Sequence, residues 1–532
     1  MNRTSFPAFL VVALVGLSSS ALASVDTAWV RSYDYKYHGF DSGGKIALDR
    51  QGNVLVACLS ESADLNDDYA TLKYDSTGRL LWVDRYNGPD NYRDTPHGLV
   101  VDSVGSVYVT GRCCSGGDYD IATIKYSSSG ERRWVALHNG PGNNWDEGRD
   151  IAVDRQNNVY VTGWEGVGLG SSYVTIKYDS LGNELWVARY RGPGHGQDQA
   201  YALVVDTAGN VYVTGASDGD TLSTNRDIVT VKYNRDGEER WVARFSGPGN
   251  GTFEEGMTLC PDGQGGVYVA GRATVNENLY ALTTIKYDST GAIRWVAGYL
   301  GPAGFGGRIE AMTLDRSGNV YCTGSVLLSA NNSDYATLRY DSAGNELWTV
   351  LWGGPAARTD LSFAIAVDSF GNAYVTGHSY TGPGVYDYDC VTVKYDSLGN
   401  EQWVARYNES PSGAEGGMDV AVDGTGHVYV TGSGINLVHG NYDCVTIKYV
   451  QTPGGVEETW TARPAYSGPP TVVCDILWLK SANGGNLIDP SGRRVMVLKS
   501  GANDVSRLPP GVYFLITREK RLSRKVVLTG RD

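Results

Sequence analysis

The heptapeptide GNVYVTG, Gly209–Gly215, recurs in close copies eight times along the 532-residue chain. Aligned on its aromatic residue, the copies fall at Tyr108, Tyr160, Tyr212, Tyr268, Tyr321, Tyr374 and Tyr429, with Leu55 in a degenerate first copy. The steps between them are 53, 52, 52, 56, 53, 53 and 55 residues. A unit of this length cannot bury its apolar residues alone, so it must stack on its neighbours.

Each unit carries three further signals. An apolar run ends in Asp before the motif, as in Ala202–Asp206. A TIKY-like segment follows, as in Thr175–Tyr178, and then an LWVARY-like one, as in Leu185–Tyr190. All four segments are short and rich in Val, Ile, Tyr, Thr and Trp, which predicts strands. The links VDTAGN and YDSLGN place Asp at the start of a tight turn and Gly near its end. Asn157 replaces that Gly once, and Asn tolerates positive φ best after Gly. Each unit therefore reads as a four-stranded antiparallel meander, with no helical period anywhere.

Both faces of such a small sheet are apolar, and radial stacking around a channel buries both. The expected fold is all-β, an eight-bladed β-propeller. Trp82, Trp134, Trp186, Trp241, Trp295, Trp348 and Trp403 recur as expected wedges between blades. Ala28–Tyr33 is a fourth-strand segment without a preceding partner, and the last repeat stops after its third strand at Tyr449. The N-terminal strand is therefore expected to complete the last blade.

The VDxxGNVYVTG pattern, from Ser24 to about Val450, resembles the SBBP β-propeller repeats of bacterial secreted proteins. That resemblance implies a propeller at the cell surface or outside the cell, and no single activity. The family name implies seven blades; the repeat count here gives eight. YDSxGNELWV also resembles the tryptophan-docking segment of eight-bladed quinoprotein dehydrogenases. The adjacent Cys113 and Cys114 match the vicinal disulfide of that family, but its calcium ligands and catalytic Asp find no counterpart.

Residues 1–23 read as a secretory signal peptide: Arg3, an apolar stretch from Phe9 to Leu17, and Ala21-Leu22-Ala23 before the cut. No later run reaches the roughly 18 apolar residues of a transmembrane helix. A net charge of −14 argues against nucleic acid. From Tyr466 onward, 11 Lys+Arg face 5 Asp+Glu, a net of +6, which leaves −20 for the rest. That break suggests a domain boundary. The expected organisation is signal peptide 1–23, propeller 24–450, linker 451–465 and a small β-sandwich at 466–532. Of the eight cysteines, only Cys390 and Cys444 occupy matching repeat positions and suggest a pair.

The tail is similar to the C-terminal sorting domain of type IX secretion substrates. The matching residues are Gly492, Arg493, Gly511, Val512, Tyr513, Phe514 and Lys525, although Gly530-Arg531-Asp532 extends past the expected closing strand. The resemblance implies delivery across an outer membrane by that machinery, and a secreted or cell-surface address.

Strand order puts the tight turns on one face of the disc and the variable connections on the other, where binding usually lives. Seven carboxylates lead the channel-lining strands from that face: Asp41, Asp94, Asp146, Asp198, Glu254, Asp360 and Glu415, with Gly307 as the exception. Asp68, Asp120, Asp227, Asp334, Asp389 and Asp443 lead the third strands; Ser172 and Ala281 are exceptions. The first set is either a cation-collecting ring, Ca²⁺ being the suitable ion, or a repeated bond to backbone N–H groups. No catalytic residue, zinc site or resident cofactor is expected. The leading expectation is a non-catalytic scaffold that binds a protein or polysaccharide through its variable-loop face. The rival is an enzyme at the channel mouth, either a quinoprotein-like oxidoreductase or a hydrolase or lyase. An asymmetric cluster of Arg, His and carboxylate in one sector would favour the rival.

Overall fold

A computed structural model describes residues 24–452, apart from 36–38, 63–65, 220–224, 248–252, 277–278, 382–386, 410–412 and 437–438, together with strands between 471 and 528. The expected signal peptide, most of the expected linker, Gly492 and Arg493 lie outside the described residues.

The repeats form eight antiparallel four-stranded blades. Blade 1 runs Asp41–Tyr86, and the first strands of blades 2 to 8 begin at Thr95, Glu147, Asp198, Glu255, Gly307, Asp360 and Gly416. Each of blades 1 to 7 is a meander in chain order. In blade 8 the fourth strand is Ser24–Tyr33, paired along Asn441–Thr452 from Ser24↔Thr452 to Tyr33↔Cys444. The first strands contact one another in cyclic order, and that of blade 8 (Gly416–Val422) meets that of blade 1 (Asp41–Leu48), so they ring the axis and the disc is closed. Closure covers the apolar faces of the blades and leaves only the short outer fourth strands as edges. Gln451 and Thr452, expected in the linker, belong to the closing blade.

The recurring Trp residues do more than wedge. The indole N–H of Trp29, Trp82, Trp134, Trp186, Trp241, Trp295 and Trp348 each donates to a carbonyl in the third turn of the next blade, at 3.1–3.2 Å. The Gly of that turn has positive φ and packs flat on the ring; a Cβ on Gly182 would lie 2.8 Å from Trp134. Blade 8 has no such turn, because its fourth strand comes from the other end of the chain. Gln451 stands in its place, taking the Trp403 N–H at 3.3 Å and the Lys394 ammonium, and donating to the Tyr374 hydroxyl at 3.0 Å.

Within each blade the motif's Tyr is buried beneath the third-strand cation. Lys125 lies 5.1 Å from the Tyr108 ring centre and donates to Ser180 of the next blade at 2.8 Å. In blade 1, where Leu55 replaces the Tyr, Lys73 pairs with Asp49 at 2.9 Å. The blades are thus bolted together on the tight-turn face by repeated polar contacts over apolar cores.

Residues Glu457–Asp532 form a separate compact unit with a five-stranded and a two-stranded sheet. Gly511, Val512, Tyr513 and Phe514 fall in the strand Gly511–Thr517, and Lys525 in Ser523–Leu528. Among the described residues no helix is long and apolar enough to cross a membrane.

Candidate functional site

The seven leading carboxylates are all in place at the starts of the inner strands, and all are 0% exposed. Asp146 accepts the N–H of Gly140, in the loop leading to its own strand, and that of Gly166, at the end of the second strand, at 2.9 Å. Asp94 takes Gly88 and Cys114 in the same way, and Asp360 takes Gly354 and Tyr380. Asp198 accepts Gly192, Asp41 accepts Tyr35, and Glu254 accepts Thr274. Asp94, Asp146 and Asp360 therefore staple the leading loop to the second strand of their blades. Burial pushes Asp41, Asp94 and Asp146 up to about 6 and Glu415 to about 7. A cation reaching this ring would have to displace backbone donors. Gly307 breaks the series for a steric reason: a Cβ there would overlap the Ser325 carbonyl oxygen.

The second acidic set is paired in part with fourth-strand arginines. Asp68 meets Arg85 at 2.6 Å, Asp227 meets Arg244 at 2.5 Å and Asp389 meets Arg406 at 3.6 Å. In blade 3, where Ser172 replaces the Asp, Arg189 turns to Glu165. In blade 5 both members are missing, and Ala281 faces Gly298. Among the described residues no group of three or more His, Cys, Asp or Glu is placed to hold a metal ion.

The seven described cysteines are free thiols. Cys390 and Cys444 pack in different core clusters, and Cys444 meets Cys58 across the closure instead. The Cys113 sulfur faces the Tyr86 hydroxyl at 3.9 Å, whereas the Cys114 sulfur faces Asp90 at 3.7 Å. Successive residues of a strand point to opposite faces, so the two thiols diverge.

The asymmetry lies elsewhere. Every inner strand carries a β-bulge at one place, three residues after the leading carboxylate or its equivalent. In blades 2 to 8 it faces the closing Gly of the repeated motif; in blade 1 Cys58 takes that place and Gly43 lies opposite. A Cβ on Gly111, Gly163, Gly215, Gly271, Gly324, Gly377 or Gly432 would overlap an inner-strand carbonyl oxygen, so the strand can press in and kink only there. A bulge re-aims a side chain. The bulged residues are Gly44, His97, Arg149, Tyr201, Met257, Glu310, Phe363 and Met418, a set in which only Met occurs twice.

Across blades 2 to 6 these residues and their neighbours join into a charged arc at the channel mouth. Glu147 sits 2.9 Å from both His97 Nε2 and Arg149, and 3.3 Å from Arg112. Arg149 lies over the rings of Trp164 and Tyr201, at 5.6 and 6.0 Å. Arg226 donates to Gln199 at 2.9 Å, Arg272 meets Glu255 at 3.0 Å, and Arg308 meets Glu310 at 2.6 Å. Burial opposes ionisation of Glu147, yet His97 and Arg149 bring it down to about 2. Burial holds His97 below its ordinary value. The carboxylates lie beneath and the guanidiniums on top: the Glu147 side chain is 5% exposed, against 33% for Arg149. The opposite sector is mainly aromatic, apolar or small, with Phe363 5.3 Å and Tyr388 4.6 Å from the His378 ring, Arg358 4.9 Å from the Tyr380 ring, then Met418 and Gly44. The mouth thus carries paired charges and aromatic rings on one side, and of the two readings of the leading carboxylates the bonds to backbone N–H groups are the ones seen. The arginines escaped notice because each of their positions holds Arg in only one or two of the eight blades. The irregular residue three after each leading carboxylate was the available signal.

Comparison with known proteins fits this architecture. Residues 134–164, 188–222 and 347–383 match the SBBP family, described as a beta-propeller repeat. Three stretches of the chain thus resemble SBBP beta-propeller repeats. It is similar to an uncharacterized WD repeat-containing protein of Acanthamoeba polyphaga mimivirus, 22% identical over 455 residues, covering 68% of this chain. The match spans 31% of that relative, about a third of its length. Among solved structures it is similar to Sqt1 from Chaetomium thermophilum, with a TM-score of 0.48 at 11% identity, covering 79% of this chain and 99% of that one. A PL25 ulvan lyase gives a TM-score of 0.38 at 10% identity, covering 73% and 97%.

Proposed function

We propose that this propeller is a ligand-binding scaffold whose working surface is the channel mouth on the variable-loop face. One observation carries the reading: five arginines, Arg112, Arg149, Arg226, Arg272 and Arg308, gather in one sector above buried carboxylates, opposite a mainly aromatic or apolar half. Repeated residues build the disc. Residues that differ from blade to blade, brought to one place, are what a specific ligand can read. The scaffold needs no resident cofactor, and Ca²⁺ at the leading carboxylates would be an addition to it. We place its work outside the cell or on its surface. Residues 1–23 direct export, and the C-terminal unit engages a type IX-like secretion machinery; the ligand is a polysaccharide or protein met there.

The test is surface plasmon resonance with the full chain immobilised against acidic, neutral and basic polysaccharides and peptides. Arg149→Ala at the mouth is compared with Arg155→Ala on the tight-turn face, beside the cavity of about 460 Å³ between blades 3 and 4. Binding lost in the first variant and kept in the second supports the mouth. The reverse pattern removes it.

His97 beside Glu147 favours a second reading, an enzyme at the same mouth. Glu147 is held ionised and has no proton to give, and His97, which burial keeps neutral, would be the base that takes one. If any bound polymer is also degraded, His97→Gln should abolish turnover and leave binding intact; unchanged turnover would dismiss this role.

A further inference from the structure

We infer that the mouth takes an acidic polysaccharide, stacking its sugar rings on Tyr92, Tyr119 and Trp145 and pairing its carboxylate or sulfate groups with Arg112 and Arg149. This rests on the mouth being the working surface and goes further by naming the ligand's chemistry.

The three rings make a continuous ledge, with centres 6.4 Å apart for Tyr92 and Tyr119 and 5.1 Å apart for Tyr119 and Trp145. Its two outer members face solvent, Tyr92 at 50% and Trp145 at 48% exposed. Large exposed aromatics side by side cost solvation unless something covers them. The Arg112 guanidinium lies 4.9 Å from the Tyr119 ring and 5.0 Å from the Trp145 ring, with Glu147 on one edge. Held this way, with Nη1 on Glu147, the guanidinium keeps Nη2 to donate to a carboxylate or sulfate. Arg149 repeats the arrangement one step along, over Trp164 and Tyr201. Tyr201 and Gln199, joined at 3.0 Å, supply hydroxyl and amide groups suited to sugar hydroxyls.

The ledge is set before binding. Asn143 takes the left-handed conformation, φ 46°, and its side chain is bonded to Asn139 at 2.8 Å. Asp146 then staples the same loop to the second strand. Preorganised rings lose little entropy when a ligand arrives. Charge density separates the ligand classes. Each outward guanidinium has a carboxylate close beneath it, so the arc offers directional anion pairing with little net positive potential. That suits a polymer with spaced anionic groups among neutral hydroxyls. A polyphosphate needs clustered, uncompensated cations, which an arc of carboxylate-paired guanidiniums does not offer.

The experiment is affinity electrophoresis and calorimetry with the full-length chain at low and moderate salt. The probes are a polyuronate, a sulfated galactan, neutral dextran, polyuridylate and a panel of acidic peptides. Binding to the polyuronate or the sulfated galactan, with none to dextran, is the expected result, and which of the two binds identifies the anionic group. Trp145→Ala and Arg112→Lys should each weaken binding at least tenfold with melting unchanged. Trp145 is exposed, so its variant tests the ledge without threatening the fold. Equal binding of dextran, or preference for polyuridylate, overturns the ligand class. Acidic-polymer binding that survives both substitutions overturns the ligand class at this mouth and the mouth reading together. If no polysaccharide binds but a peptide does, in a way that Arg149→Ala abolishes, the ligand class fails and the mouth stands.

Discussion

Replacing Asp146 by Ala tests whether the leading carboxylates are loop staples. The side chain is fully buried and satisfies the N–H groups of Gly140 and Gly166. Alanine leaves both donors buried and without an acceptor, at about 1–3 kcal/mol each. Removing a carboxylate whose ionisation burial already disfavours returns part of that cost. The balance is a loss of about 3 kcal/mol. With roughly 2 cal/mol/K of unfolding entropy per residue, a propeller of this size should lose about 3 °C in Tm. Asp146→Asn keeps one acceptor and should lose about half as much. The assay is differential scanning calorimetry of both variants with 5 mM Ca²⁺ (roughly a hundredfold excess) or with chelator. A staple predicts the same loss in either buffer. If Asp146→Ala melts like the native chain in chelator, and loses only a stabilisation that Ca²⁺ gives the native chain, the carboxylate is a cation ligand and the staple is refuted.

Three further outcomes follow from the geometry. Asp41, Asp94 and Asp146 sit near 6 and Glu415 near 7, against unfolded values of 3.8 and 4.5, so the folded state holds their protons at pH values where the unfolded chain has lost them. Their contribution is fully present below about pH 4 and lost as pH rises through 6 to 7. Buried His97 and His378, the latter near 4, work the other way below 6.5 but are fewer, and Glu147, near 2, costs nothing until pH falls below about 4.5. Tm should therefore rise between pH 7.5 and 5.5, and a fall over that range in a calorimetric series would contradict the burial of these groups. Gly182→Ala should cost about 3 kcal/mol, because φ is 90° and the Cβ meets Trp134, whereas Gly52→Ala, at φ 77° with open space around it, should cost about 1; equal urea midpoints would deny the ring contact. Gln451→Ala should lower Tm by about 2–4 °C through the lost partners of Trp403, Lys394 and Tyr374, and a chain melting as before would show that the closure does not depend on them.

The sequence by itself determined the disc. GNVYVTG at a near-constant step, Asp and Gly at most of the tight turns, and an orphan fourth strand at the N-terminus leave eight closed blades as the arrangement that buries every apolar face. It also determined which carboxylates lead the inner strands, because repeated positions can be read by alignment within one chain. Only the tertiary structure decided what those carboxylates face. Burial and partners depend on the loop that returns over each residue, and Gly140 and Gly166 lie on opposite sides of Asp146 in sequence. The arc at the mouth was hidden for the complementary reason. His97, Arg112, Glu147 and Arg149 come from adjacent blades and have no common spacing. Closing the ring brings them together, and the bulge facing the motif's own glycine turns His97 and Arg149 toward one another's partner. A repeat fixes architecture locally, through strand and turn chemistry that each unit carries whole. A site built from what differs between units exists only once the units are placed side by side.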